Sequence, residues 1–179
     1  MSDIVVGIDP SLRGTGYIAL EGGKIVRSKL IESKPSGDKP KDEALRLIGI
    51  VTEIADNLVV KVPKLVVIEG LAYMANNTTA LMQLAGLNYL LREHLIVMGI
   101  PFIIVAPTSL KKFLTGKGNC QKDLMLLESY KRYKIYFTDN NLCDAHSLAR
   151  IGEACLDATV KLTKPQQEVI GLLKKQYEK

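Results

Sequence analysis

Two short aliphatic runs, Ile4-Val5-Val6-Gly7-Ile8-Asp9 and Leu65-Val66-Val67-Ile68-Glu69, each end on a carboxylate. A strand that is apolar at consecutive positions is buried on both faces, so the sheet carrying it must be covered by helices above and below. Pro10 stops the first run because it has no N–H to give to a ladder, and Gly70 follows the second. Strands of this kind, as neighbours in one sheet, deliver both acids to a shared site. Left bare at about 4 Å, two carboxylates repel by about 4 kcal/mol at an effective dielectric near 20. A divalent cation turns that repulsion into binding, and hard oxygen ligands suit Mg²⁺ or Mn²⁺. The bland alternatives are a turn-forming Asp9 ahead of Pro10 and a Glu69 paired with a base at a sheet edge. The apolar residues before Asp9 weigh against the first, and the Gly70 that follows Glu69 against the second.

Charge gives the second constraint. The chain of 179 residues carries a net +5. Residues 107–134 hold seven basic residues (Lys111, Lys112, Lys117, Lys122, Lys131, Arg132, Lys134) against Asp123 and Glu128, which equals the whole excess. A localised basic segment is what phosphate binding requires. With acids that cage a cation, it points to a metal-dependent nuclease. Cys120, Cys143 and Cys155 have no paired spacing and no zinc pattern, so they read as reduced packing residues of a cytoplasmic protein. The strand begins too early for a signal peptide, and no apolar run is long enough for a membrane. With 47% apolar and 24% charged residues, the chain fits one α/β domain, 1–179.

In chain order, residues 4–9 form a strand, and Leu12–Gly16 reads as a turn whose glycines take positive φ. Residues 17–20 are a second strand, Glu21–Lys24 a hairpin turn and 25–31 a third strand, together an antiparallel meander. A polar stretch, 32–42, reads as a mobile loop. Helical spacing of Ala44, Leu47, Ile48, Val51, Ile54, Ala55 and Leu58 predicts a helix over 42–58. The strand ending at Glu69 then arrives by a crossover and runs parallel to an earlier one. Residues 77–98 are a long helix capped by Asn77 or Thr78, and Phe102–Val105 a fifth strand. Short helices fit 108–114 and 121–131, and longer ones 142–158 and 165–177. The breadth of apolar residues over 80–98 reads as core or as a dimer face. This order predicts an α/β fold with a mixed five-stranded sheet flanked by helices, its first three strands antiparallel.

Four blocks in order complete the picture: Gly7-Ile8-Asp9-Pro10 with Thr15-Gly16-Tyr17; Ile68-Glu69 with Asn76 and Ala80-Leu81; Ala106-Pro107-Thr108 with Lys111, Gly116, Gly118 and Lys122; and Asp144-Ala145. With these the chain, over roughly residues 4–155, resembles the RuvC-type Holliday junction resolvases of the RNase H-like nuclease superfamily. The resemblance implies an RNase H-like fold, a homodimer and paired symmetric nicks in four-way DNA junctions. It implies that Asp9, Glu69 and Asp144 hold two divalent ions, Mg²⁺ with Mn²⁺ as substitute, with no small-molecule cofactor. Such ions activate water, orient the phosphate and neutralise the leaving 3′ oxygen. Lys111 and Lys122 match bases at the scissile phosphate and join the catalytic set. Lys112, Lys117 and Asn76 are further DNA contacts, with a solvated face or helix capping as the plain alternatives. Nothing in the residues specifies a branch-migration motor.

The chain departs from the family pattern at two places. A second acid expected three residues before Asp144 is Asn141, whose amide oxygen still ligates a hard cation; Asp139 and His146 are the other candidates to complete the site. The aromatic expected three residues after Glu69 is Ala72, with Tyr73 next to it as the unstacking wedge. That departure keeps broader cutting of forks or flaps open, and a non-catalytic junction-binding protein is a further alternative. Sugar kinases and actin-like ATPases also open on a strand, Gly-Ile-Asp and a Gly/Thr turn, but they need a much longer two-lobed chain.

Overall fold

The computed structural model describes residues 3–71 and 78–177. Five strands, β1 (Ile4–Asp9), β2 (Gly14–Glu21), β3 (Lys24–Glu32), β4 (Leu65–Glu69) and β5 (Phe102–Val105), form one sheet in the order β3-β2-β1-β4-β5. β1–β2 and β2–β3 are antiparallel, whereas β1–β4 and β4–β5 are parallel. The expected mixed sheet with its antiparallel meander is therefore the observed one. Among the described residues there are also six helices: α1 (Pro40–Val59), α2 (Thr78–Val97), α3 (Pro107–Thr115), α4 (Lys122–Tyr133), α5 (Asn140–Leu156) and α6 (Lys164–Tyr177).

The doubly buried central strands split the apolar residues into two cores. Ile4, Val6, Ile8, Val66 and Ile68 pack with Leu47, Ile54 and Leu58 of α1 and Leu87, Leu91 and Leu95 of α2. Val5, Leu65, Val67, Ile103 and Val105 pack with residues of α3, α5 and α6 on the other face. Strand alternation makes this division, since successive side chains leave a strand on opposite faces. The edge strand β3 is largely exposed and carries Lys24, Arg27 and Lys29, charges that discourage further pairing.

Helix ends lie within two residues of the expected ranges. Pro40 and Pro107 sit in the first turns of α1 and α3, where a missing N–H costs nothing. One local expectation is corrected. Gly14 and Gly16 belong to β2 and lie outside the left-handed region, which among the described glycines is reached by Gly22, Gly23, Gly99 and Gly116. The turn is instead closed by Thr15: the Ser11 N–H donates to Thr15 Oγ1 (3.1 Å), and Thr15 Oγ1 donates back to the Ser11 carbonyl (2.9 Å). Glycine stands at 16 because α5 lies directly on the strand, where a Cβ would overlap the Asn141 carbonyl.

Candidate active site

The pleat aims the two strand-end acids. On β1, Val5, Gly7 and Asp9 face α5, while the alternate residues face α1 and α2. On β4 the same alternation puts Leu65, Val67 and Glu69 on the α5 side. Helix α5 approaches closely because glycine stands on both sides of the contact: a Cβ on Gly7 of β1 would overlap the Ala145 carbonyl oxygen, and one on Gly152 of α5 would crowd Val5 and Val67. Asp144, the residue before Ala145, therefore arrives beside the sheet. Ligand oxygens of Asp9, Glu69 and Asp144 all lie within 4.8 Å of one another.

Asp9 is 7% exposed, and Glu69 and Asp144 are half-buried. Burial holds the Asp9 carboxyl well above its usual range, with the Glu69 charge, a hydrogen bond to Glu69 and the Asp144 charge adding to it and Lys122 opposing. Glu69 is raised by burial and lowered in turn by its hydrogen bond to Asp9 and by Lys111 and Lys122. Asp144 is pushed up to about 7 by burial and then by Glu69, against Lys122 and Lys111. Three carboxylates this close resist full ionisation unless a cation joins them. An all-oxygen donor set with partial solvent access fits a hard divalent ion.

Lys111 and Lys122 thus stand near enough to act on the acids. Lys112 does not face them: its Nζ bonds Glu168 of α6 at 2.6 Å. Lys117 is exposed on the α3–α4 loop. That loop leaves α3 through Gly116, whose positive φ forms the helix cap. Tyr73 and Asn76, and the Asn77 cap, lie outside the described residues. Asn141 donates its amide N–H₂ to the Gly14 carbonyl (2.7 Å). Asp139 caps α5, accepting from the Asn141 and Leu142 N–H groups at 2.8 and 3.1 Å, while its charge raises Asp144.

Of the candidates to complete the site, His146 points away from it. It is 0% exposed, packed against Tyr133 and Phe137, and its Nε2 accepts from Arg150 Nε at 3.3 Å. Two residues along a helix is about 200°, so with Asp144 toward the acids His146 faces the core. A cavity of about 750 Å³ lies at the far end of β1, lined by Val5, Gly23, Arg132, Tyr133, Arg150 and Glu153, and holds none of the three acids. Two residues missed from the sequence steady the site. Arg46 of α1 bonds the Leu12 carbonyl and Ser33 Oγ (3.0 Å), tying down the loop after Asp9. Asn88 of α2 reaches the Glu69 main chain. A polar residue among Leu84, Leu87, Leu91 and Leu95 was the available signal for Asn88.

A five-stranded sheet of this order, with acids from β1, β4 and a helix against it, defines an RNase H-like protein. The family model described as "Crossover junction endodeoxyribonuclease RuvC" matches residues 5–148, and the chain belongs to that family. A RuvC from Chlamydia trachomatis serovar L2 is 28% identical over 157 residues, covering 83% of this chain and 90% of its own. One from Synechococcus sp. (strain WH7803) is 28% identical over 123 residues, covering 68% and 78%. Among solved structures, T. thermophilus RuvC in complex with Holliday junction substrate superposes with a TM-score of 0.68 at 16% identity, covering 82% of this chain and 90% of that one.

Proposed function

We propose that this chain is a structure-selective DNA endonuclease that resolves four-way junctions by paired symmetric nicks. The observation that carries the reading is the meeting of Asp9, Glu69 and Asp144 within 4.8 Å, with Lys111 and Lys122 beside them, in a chain of the RuvC family. The three carboxylates, with the Asn141 amide oxygen, would hold two Mg²⁺ ions, for which Mn²⁺ substitutes. Bound there, the ions supply Lewis-acid charge to the scissile phosphate and a more acidic water. Lys111 and Lys122 bring amines to the phosphate oxygens and steady the charge that builds during attack. A water oxygen bonds to phosphorus as the bond to the 3′ oxygen breaks, leaving a 5′-phosphate and a 3′-hydroxyl that a ligase can rejoin.

Two symmetric nicks need two sites, and a homodimer supplies them. Helix α2 supports this: Met82, Tyr89, Ile96 and Val97 are 74%, 64%, 68% and 73% exposed, an outlay of apolar surface that a second copy would cover. Tyr73 would unstack bases at the crossover, and Asn76, Lys112 and Lys117 would hold flanking DNA. The chain is read as one domain over 1–179 acting in the cytoplasm; among the described residues no helix is long and apolar enough to cross a membrane.

The test is cleavage of an end-labelled four-way junction in Mg²⁺, with Asp9→Asn as control. Paired nicks that ligase reseals, absent in the variant, support the reading. Equal cutting of linear duplex, or junction binding with no cutting by the wild type, overturns it.

A further inference from the structure

Asn88 is 1% exposed in the middle of α2, on the leucine face that packs against the sheet. A buried amide costs a few kcal/mol unless its donors and acceptors are met, so an aliphatic residue is the default there. Its bonds show what it does in that position. Nδ2 donates to the Glu69 main-chain carbonyl at 3.3 Å, while Oδ1 accepts from Arg92 Nε and Nη2 at 3.0 and 2.7 Å. Arginine can only donate, so Arg92 fixes the amide with its oxygen outward and its N–H₂ toward Glu69. The guanidinium in turn lies 4.9 Å from the ring of the exposed Tyr89.

Glu69 needs such a hold. The β1–β4 register stops at Ile8↔Ile68, one residue before it, so Glu69 is paired on its β5 side, with Val105, and not on its β1 side. After it, Gly70 bonds the Val105 carbonyl of β5, and the chain soon leaves the sheet. Asn88 thus supplies a donor beyond the last pair that β4 makes with β1. Helix α2 is otherwise joined to this strand by apolar packing, which resists sliding less than a directional bond does.

Resting on the endonuclease reading above, we infer that Asn88 is a positioning residue for Glu69. It holds the strand end so that the Glu69 carboxylate meets those of Asp9 and Asp144, and Arg92 keeps its amide turned the right way. It touches neither substrate nor cation.

Mn²⁺ binding to the DNA-free protein, followed by electron paramagnetic resonance, and junction cleavage at saturating metal test this together. Asn88→Asp keeps the shape and the Arg92 pair but sets an acceptor against the Glu69 carbonyl. It is expected to weaken Mn²⁺ binding and lower kcat by about 10-fold each, the scale of losses when a ligand's support is removed, with junction KM unchanged. Arg92→Met moves both in the same direction by less, and Arg92→Lys, which still donates to Oδ1, restores them. Should Asn88→Asp fail to fold, the Arg92 pair carries the test. Wild-type Mn²⁺ affinity and kcat in Asn88→Asp, or in Arg92→Met if that variant alone folds, overturn the inference, even with a lowered Tm. A wild type that binds Mn²⁺ but cuts no junction defeats the endonuclease reading alone, because the affinity of the Asn88 variants still reports the hold on Glu69.

Discussion

Gly7 of β1 lies directly beneath the Ala145 carbonyl of α5, with no room for a side chain between them. This contact sets how close Asp144 comes to Asp9, since Asp9 is two residues past Gly7 and Asp144 one before Ala145. Gly7→Ala must lift the helix or bend the strand. Overpacking of this kind costs about 1–3 kcal/mol. The expected result is a folded but less stable protein with Mn²⁺ affinity reduced more than a remote variant of equal stability, read by urea denaturation beside metal titration.

Removing any one of the three carboxylates should abolish cleavage and spare binding. Asp9→Asn, Glu69→Gln and Asp144→Asn are each expected to lower the cleavage rate by about 10³-fold or more, by loss of charge stabilisation at the phosphate. Junction affinity, measured by gel shift in Ca²⁺, should stay near that of the wild type. Parallel loss of binding in all three would place these acids in folding instead.

The metal-free site should leave a pH signature. Asp144 rises from 3.8 unfolded to about 7 folded, mainly through burial and then the Glu69 charge. Between those values the folded state holds the extra proton, so this group's contribution to stability falls as pH rises from about 4 to 7. Mg²⁺ should restore what deprotonation removes, and Asp144→Asn should flatten the profile. Tm measured from pH 5 to 8 with and without Mg²⁺ reads the effect; a Mg²⁺ shift that does not grow with pH would contradict it.

His146 should act in the opposite sense. Burial, with Arg150 next, lowers its pKa from 6.5 to about 3. The unfolded chain then binds the extra proton, and stability is lost as pH falls from 6.5 toward 3. His146→Phe should remove that loss without reducing cleavage at pH 8. Urea midpoints at pH 4.5 and 7.5 separate His146→Phe from the wild type, and a cleavage defect in the variant would return this ring to the site.

The lysines should divide by direction rather than by sequence distance. Lys111→Ala and Lys122→Ala are expected to slow cleavage by about 10-fold or more, since each acts on the acid cluster. Lys112→Ala, which frees an exposed pair with Glu168, should change single-turnover cleavage little. Equal losses for Lys111 and Lys112 would misplace the scissile phosphate.

By itself the sequence determined a mixed sheet with an antiparallel meander and the delivery of Asp9 and Glu69 from neighbouring strands, because strand alternation and doubly apolar runs are local properties. The place of β5 beside β4 at the sheet edge was decided by the tertiary structure. Nor did the sequence determine the face that α5 turns to that sheet. Cys143, Ala145, His146, Ser147, Leu148 and Ala149 are all buried, so the helix has no apolar stripe from which to read a direction. Only close packing of α5, through its own Gly152, on Gly7 and Gly16 of the sheet sends Asp144 to the acids and His146 to the core. The same holds for Lys111 and Lys112, whose separation of about 100° around α3 becomes a choice between the acids and Glu168 once α6 is in place. Asn88 belongs with them, a polar residue whose partners come from another helical turn and from the end of a strand nineteen residues away.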